Sequence, residues 1–159
     1  MDYLSTCAAE VSRPTIAAIV RTESRGDPLA IGINSRAVRL SRSPRDAAEA
    51  ADVAQRLMAA GHSADFGLAQ INSANLRRLG LSAAEVFEPC ANLRAASRIL
   101  AECYGRARAA RYAEGQPALA AALSCFNTGD FQRGQVNGYV RRVYAAAVLD
   151  AGQSERAQR

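Results

Sequence analysis

Apolar residues recur at helical spacing along most of the chain. In "IAAIVRTESRGDP" (residues 16–28), Ile16, Ile19 and Val20 share one face, and Glu23 falls on the same side. Ser12 and Pro14 supply a start signal, and Gly26 with Asp27-Pro28 a stop. "LAIGINSRAVRLS" then alternates apolar and polar positions, broken at Asn34-Ser35, which predicts a small hairpin. Ser43-Pro44 opens a second helix to about Ala60, closed by Gly61. "SADFGLAQINS" reads as a loop entering a short helix near residues 73–79, and Leu81–Phe87 adds a turn. A long helix is predicted from Ala91 to Arg111, with Leu93, Ala96, Ile99, Leu100 and Cys103 on one face. Pro117–Phe126 forms another, stopped near Asn127-Thr128-Gly129, and Gly138 to about Leu149 forms the last. The pattern predicts one mainly α (α+β) domain over residues 1–151, followed by a polar, frayed tail over 152–159.

Composition sharpens this picture. The length of 159 residues suits one domain, and 49% hydrophobic content supports a packed core. Alanine dominates that fraction, which favours closely packed helices. No apolar run approaches the roughly 20 residues of a membrane span, so no membrane insertion is expected. The formal charge is +5, and every basic residue is Arg. The absence of Lys excludes Schiff-base chemistry. A positive surface favours anionic partners such as cell-wall polymers, but simple solubility explains scattered arginines equally well. No nucleic-acid motif accompanies them, so no nucleic-acid partner is expected.

Cysteine usage bears on the compartment. Cys7, Cys90, Cys103 and Cys125 form no CxxC pair, and His62 is the single histidine, so no metal site and no cofactor are expected. An even count without metal spacing favours two disulfides and an oxidising compartment over buried free thiols. The opening MDYLSTCAAE carries no basic and apolar export signal: either nothing exports the chain, or a signal has been removed from it.

With one His, no Lys, no GxSxG and no phosphate loop, carboxylates are the natural proton-transfer groups. Glu23 is the foremost candidate. A helix-end acid beside apolar residues is partly desolvated, which raises its pKa, and the helix C-terminus disfavours the anion too. The alternative is an exposed Glu paired with Arg21 or Arg25. Gly67 and Gln70 in "DFGLAQIN", Asn127 in "LSCFNTGD" and Tyr139 in "NGYVRRVY" are further candidates. Each has a bland reading: a turn glycine, a helix cap, a C-cap and a half-buried core phenol.

Glu-Ser, then Gly-Leu-x-Gln-Ile-Asn, then Phe-Asn-x-Gly, then a late Tyr, in that order, resembles the lytic transglycosylases of the lysozyme superfamily over roughly residues 14–148. Cys90-x-Asn92-Leu93, the run Ser124–Gly129 and the helix before Asp65 are most similar to the small periplasmic transglycosylases of type IV secretion systems. The resemblance implies a lysozyme-like fold, a helical lobe with a small β-hairpin element and a glycan cleft. It implies Glu23 as catalytic acid, with Ser24, Gly67, Gln70, Asn127 and Tyr139 at the substrate. Ser24 and Tyr139 would hold the carboxyl or neighbouring sugar groups, and Gln70 and Asn127 the acetamido and peptide-stem region. Peptidoglycan strands are the implied partner, with secretion-channel subunits beside them. Ala69 stands where the family often has Met, opening space near the groove, and Phe126 where it often has Tyr. The implied reaction cleaves the β-1,4 bond between N-acetylmuramic acid and N-acetylglucosamine and leaves a 1,6-anhydro end; two rival readings are a hydrolase of the same bond using Asp65 as base, and a non-catalytic wall-binding scaffold. Four cysteines allow three pairings. The expected bridges are Cys103–Cys125, tying two core helices, and Cys7–Cys90, pinning the N-terminal segment to the long helix.

Overall fold

A computed structural model describes residues 3–157. The elements in order are α1 (Tyr3–Cys7), α2 (Arg13–Glu23), β1 (Ile31–Ile33), α3 (Ala47–Ala59), β2 (Ala64–Phe66), β3 (Ile71–Asn72), α4 (Ser73–Leu79), a 3-10 turn (Glu85–Phe87), α5 (Pro89–Ala109), α6 (Gln116–Thr128), α7 (Arg133–Val136) and α8 (Tyr139–Ala157). The chain is mainly helical with a small antiparallel sheet, as expected. Of the expected tail, residues 152–157 continue α8 as helix, and residues 158–159 lie outside the described residues.

The helical lobe is built on α5. Leu93, Ala96, Ile99, Leu100 and Cys103 are all buried on one face, the set that the periodicity selects. Against it packs α6, with Ala122 and Leu123 buried there, while α2 and α8 pair with each other, α8 also meets α6, and Ile16, Ile19, Tyr139 and Val143 join the same core. Alanine at the crossings lets backbones approach closely, which compensates for a core poor in aromatics. Both expected disulfides form. Cys103–Cys125 joins α5 to α6, and Cys7–Cys90 ties α1 to the start of α5. Bridges of this kind each stabilise by about 2–4 kcal/mol.

The small lobe departs from the sequence reading. Asn34-Ser35 is not a hairpin turn. β1 pairs instead with β2, thirty residues on, with Ile31 opposite Phe66, Gly32 opposite Asp65 and Ile33 opposite Ala64. β2 then pairs with β3 around the loop Gly67–Gln70. The reason is burial: Ala64 and Phe66 are fully buried beneath α3, whereas a two-stranded hairpin alone is marginal in water. Asp46, not Ser43, caps α3, accepting from the Glu49 amide at 2.8 Å. Ser12 makes no side-chain cap; its hydroxyl meets that of Thr15 at 2.8 Å.

Candidate active site

A cleft of about 490 Å³ runs between the two lobes, with Glu23 and Asp65 among its lining residues. Glu23 is the last residue of α2. The helix stops there because the Ser24 hydroxyl donates to the Leu68 carbonyl at 2.7 Å, and Arg25 and Gly26 turn left-handed at φ 57° and 87°. The apolar face that began at Ile16 thus delivers Glu23, half-buried, to the cleft. Burial raises its pKa from the ordinary carboxyl value to about 7; the polar contact with Tyr139 lowers it, Asp65 raises it, and Arg142 lowers it. Desolvation wins, so near neutral pH the acid and its anion coexist.

Tyr139 is only 1% exposed and its hydroxyl is buried. Burial, then the nearby Glu23, pushes the phenol well above its ordinary value. It biases Glu23, yet no acceptor among the described residues meets full hydrogen-bond geometry with it. We read the pair as a close polar contact, because electrostatic influence survives misalignment that a bond does not. Tyr139 is therefore a core residue as well as a neighbour of the acid.

Asp65 sits on the opposite wall in a different environment. Asn34 Nδ2 donates to one carboxyl oxygen at 2.8 Å and Asn72 Nδ2 to the other at 2.7 Å. Both amides also reach Ser63 Oγ, at 3.3 and 3.1 Å. Neither an Arg partner nor a loop cap holds Asp65. Its carboxylate is fixed by neutral donors across the three-stranded sheet.

The loop Gly67–Gln70 is held from behind by Asn92, a fully buried residue on α5. Asn92 Oδ1 accepts from the Ala69 amide at 2.8 Å, and Nδ2 donates to the Phe66 and Val86 carbonyls at 2.9 and 2.7 Å. Gly67 has φ +73°, and a Cβ there would clash with Asn92 Nδ2, so its backbone packs closely on Asn92. Ala69 is likewise fully buried and opens no space in the groove. Gln70 keeps a cleft position, but its amide nitrogen is spent on the Ala30 and Gly67 carbonyls at 3.1 and 2.9 Å. Its Oε1 remains toward Gly32, where a Cβ would come within 2.8 Å. Ser24, tied to Leu68, anchors the same loop and does not touch the carboxyl.

The end of α6 forms the far rim. Gly129 caps α6 in the left-handed region, and Asn127, two residues earlier, is exposed and lines the cleft. Asn137 Nδ2 donates to Asn127 Oδ1 at 2.9 Å, which engages the oxygen of this cleft-lining amide and leaves its Nδ2 as the donor it can offer. The Cys103–Cys125 bridge and Phe126 lie beside it.

The structure brings Glu23, Asp65, Gln70 and Asn127 to one cleft, with Tyr139 behind Glu23. It places Ser24 and Gly67 in the scaffold. Sequence reasoning missed Asn34 and Asn72, and assigned Asn92 no physical task. It also missed the charged floor, where Arg78 bonds Glu102 at 2.7 Å and Arg106 lies 5.6 Å over the Phe131 ring. Besides its place in the Cys90-x-Asn92-Leu93 stretch, an amide inside the apolar face of α5 was the physical signal for Asn92.

Residues 5–148 match the Transglycosylase SLT domain family. The chain is 41% identical over 146 residues to "Type IV secretion system protein virB1" of Brucella abortus biovar 1 (strain 9-941), covering 89% of this chain and 60% of that protein. It is 40% identical over 146 residues to "Protein virB1" of Agrobacterium fabrum (strain C58 / ATCC 33970), covering 92% and 58% respectively. To "Protein virB1" of Rhizobium radiobacter it is 43% identical over 141 residues, covering 89% and 57%. The chain therefore spans less than two thirds of the length of these curated relatives. No solved structure matches it significantly.

Proposed function

The chain belongs to the Transglycosylase SLT domain family, and from that premise we propose that it is a peptidoglycan lytic transglycosylase. Its reaction cleaves the β-1,4 bond between N-acetylmuramic acid and N-acetylglucosamine and leaves a 1,6-anhydro end. The carrying observation is Glu23: a half-buried carboxyl in a cleft, with a pKa raised to about 7 by burial.

A single carboxyl then serves twice. Protonated Glu23 gives its proton to the glycosidic oxygen as the C1–O bond breaks. Positive charge develops at C1, and the substrate's own 2-acetamido oxygen stabilises it in place of a second enzyme carboxylate. The Glu23 anion next removes the proton from the C6 hydroxyl, whose oxygen bonds to C1. Glu23 ends protonated, and no water is consumed. A pKa near the working pH suits both steps. Asn127 offers amide hydrogens, and Gln70 a carbonyl, to the sugar substituents. Tyr139 and Arg142 keep the Glu23 pKa from rising further.

The residues around Asp65 do not favour the hydrolytic reading. Both of its oxygens already accept amide hydrogens from Asn34 and Asn72, so an attacking water would have to share them. The printed name of the Brucella relative supports a place at a type IV secretion system; local wall opening for that system, in the periplasm and beside its channel subunits, is the role this reading assigns. Among the described residues, no helix is long and apolar enough to cross a membrane. Digestion of purified sacculi followed by mass analysis tests the proposal. Anhydro ends support it, reducing ends support a hydrolase, and intact glycan supports a binding scaffold.

A further inference from the structure

A second groove, of about 530 Å³, lies outside the cleft, between β1 and residues 35–44. β1 is an edge strand, paired only with β2. The register fixes which of its backbone groups are used. The Asn34 amide donates to the Ser63 carbonyl at 2.9 Å, and the Gly67 amide to the Ala30 carbonyl at 2.9 Å. With Gly32 opposite Asp65, residues 30, 32 and 34 turn their bonding groups toward β2. Ile31 and Ile33 therefore turn theirs outward. Among the described residues no hydrogen bond is made to their N–H or C=O groups, so the edge carries two donors and two acceptors without partners.

The groove beside that edge is mainly polar, with half-buried aliphatic residues along it and a positive rim. Leu29, Ile31 and Ile33 form one side, with Val38 and Leu40 opposite. Arg36 and Arg39 line it, are exposed and form no ion pair among the described residues. Arg42 also lines it but is held by Glu49. We infer that this groove docks an extended, acidic segment of a partner protein, which adds a strand to β1.

Three features select that occupant. Outward N–H and C=O groups at alternate residues match the repeat of an all-L strand. Arg36 and Arg39 call for carboxylates on it, and the half-buried aliphatic side chains among the lining residues accept aliphatic residues between them. A second copy of this chain is disfavoured, because two such edges would bring their arginines together in a protein of formal charge +5. The inference does not depend on the chemistry of the main cleft.

The test uses the full chain and a blocked, fluorescent six-residue peptide alternating Glu and Val. Anisotropy should show saturable binding, weakened by salt. The Lys-for-Glu peptide and the mirror-image D-peptide should each bind at least about tenfold more weakly, as expected where charge and backbone hand both matter. Binding should fall as much in the R36E/R39E double variant, with wall-lytic activity unchanged. Ile33→Pro removes one outward N–H without touching the ladder to β2, a substitution that edge strands tolerate. It should weaken the peptide too, and R36E/R39E keeps the test decisive if that variant misfolds. Amide exchange at Ile31 and Ile33 should slow when peptide is bound. Absence of binding, equal binding of L- and D-peptides, or protection confined to the main cleft would overturn the inference. So would concentration-dependent dimerisation through this edge.

Discussion

Glu23 and Asp65 face the same cleft from walls of opposite character. The wall behind Glu23 is apolar: Ile16, Ile19 and Val20 of α2, and Tyr139 of α8. The wall around Asp65 is polar: Asn34, Asn72 and Ser63. The first wall withholds solvation from the anion and raises the pKa; the second replaces water with amide donors. Two carboxylates so placed are suited to different tasks, and their surroundings set the division. The apolar wall raises the Glu23 pKa by burial, and Asp65 on the polar wall raises it further.

The largest expected effect comes from removing the acid itself. Glu23→Gln should lower lytic rate by about 10²–10⁴-fold, measured as muropeptide release, with glycan binding retained. Asp65→Asn separates the two walls. It should cost less than about tenfold in rate, and should move the alkaline limb of the pH–rate profile to lower pH, because a charge that raised Glu23 is gone. A loss as large as that of Glu23→Gln would instead make Asp65 the base of a hydrolase.

The same contrast appears in stability. Glu23 has a folded pKa of about 7 against an ordinary value of 4.5, so the folded chain binds more protons between those values. The stability present below pH 4.5 is then lost as pH rises through 7. Glu23→Gln should remove this loss, and above pH 8 should be more stable than the parent by on the order of 2–3 kcal/mol, read from urea midpoints. Asn92→Ala should reduce stability at every pH, by about 3 kcal/mol, because the Ala69 amide and the Phe66 and Val86 carbonyls lose a buried partner. The smallest effect is Tyr139→Phe. It should shift the alkaline limb upward by under about one pH unit, the reverse of Asp65→Asn.

How much of this was legible depended on whether the signal was local. The buried face of α5 followed from its period, and its start and end lay within two residues of expectation. The stop at Gly129 was equally local, since a left-handed C-cap needs only a glycine after a helical run. Asn34 and Asn72 carried no such mark. Their task exists only because β1 and β3 flank Asp65 on β2, and that pairing spans 31 and 7 residues of chain. Gly67 was legible as a close approach, but the partner, Asn92, was 25 positions away on another element.

By itself the sequence determined the helical lobe, the burial pattern that brings Glu23 to the end of a greasy helix, and the supply of four pairable cysteines. Periodicity, capping chemistry and composition act over a few residues and can be read in one dimension. Only the tertiary structure decided that Asn34 closes on Asp65 rather than turning a hairpin, that Ser24 bonds the Leu68 carbonyl while Gly67 packs on Asn92, and that one edge of β1 stays open. Those outcomes depend on which distant surfaces meet, and burial of Ala64 and Phe66 beneath α3, not local propensity, selects the meeting.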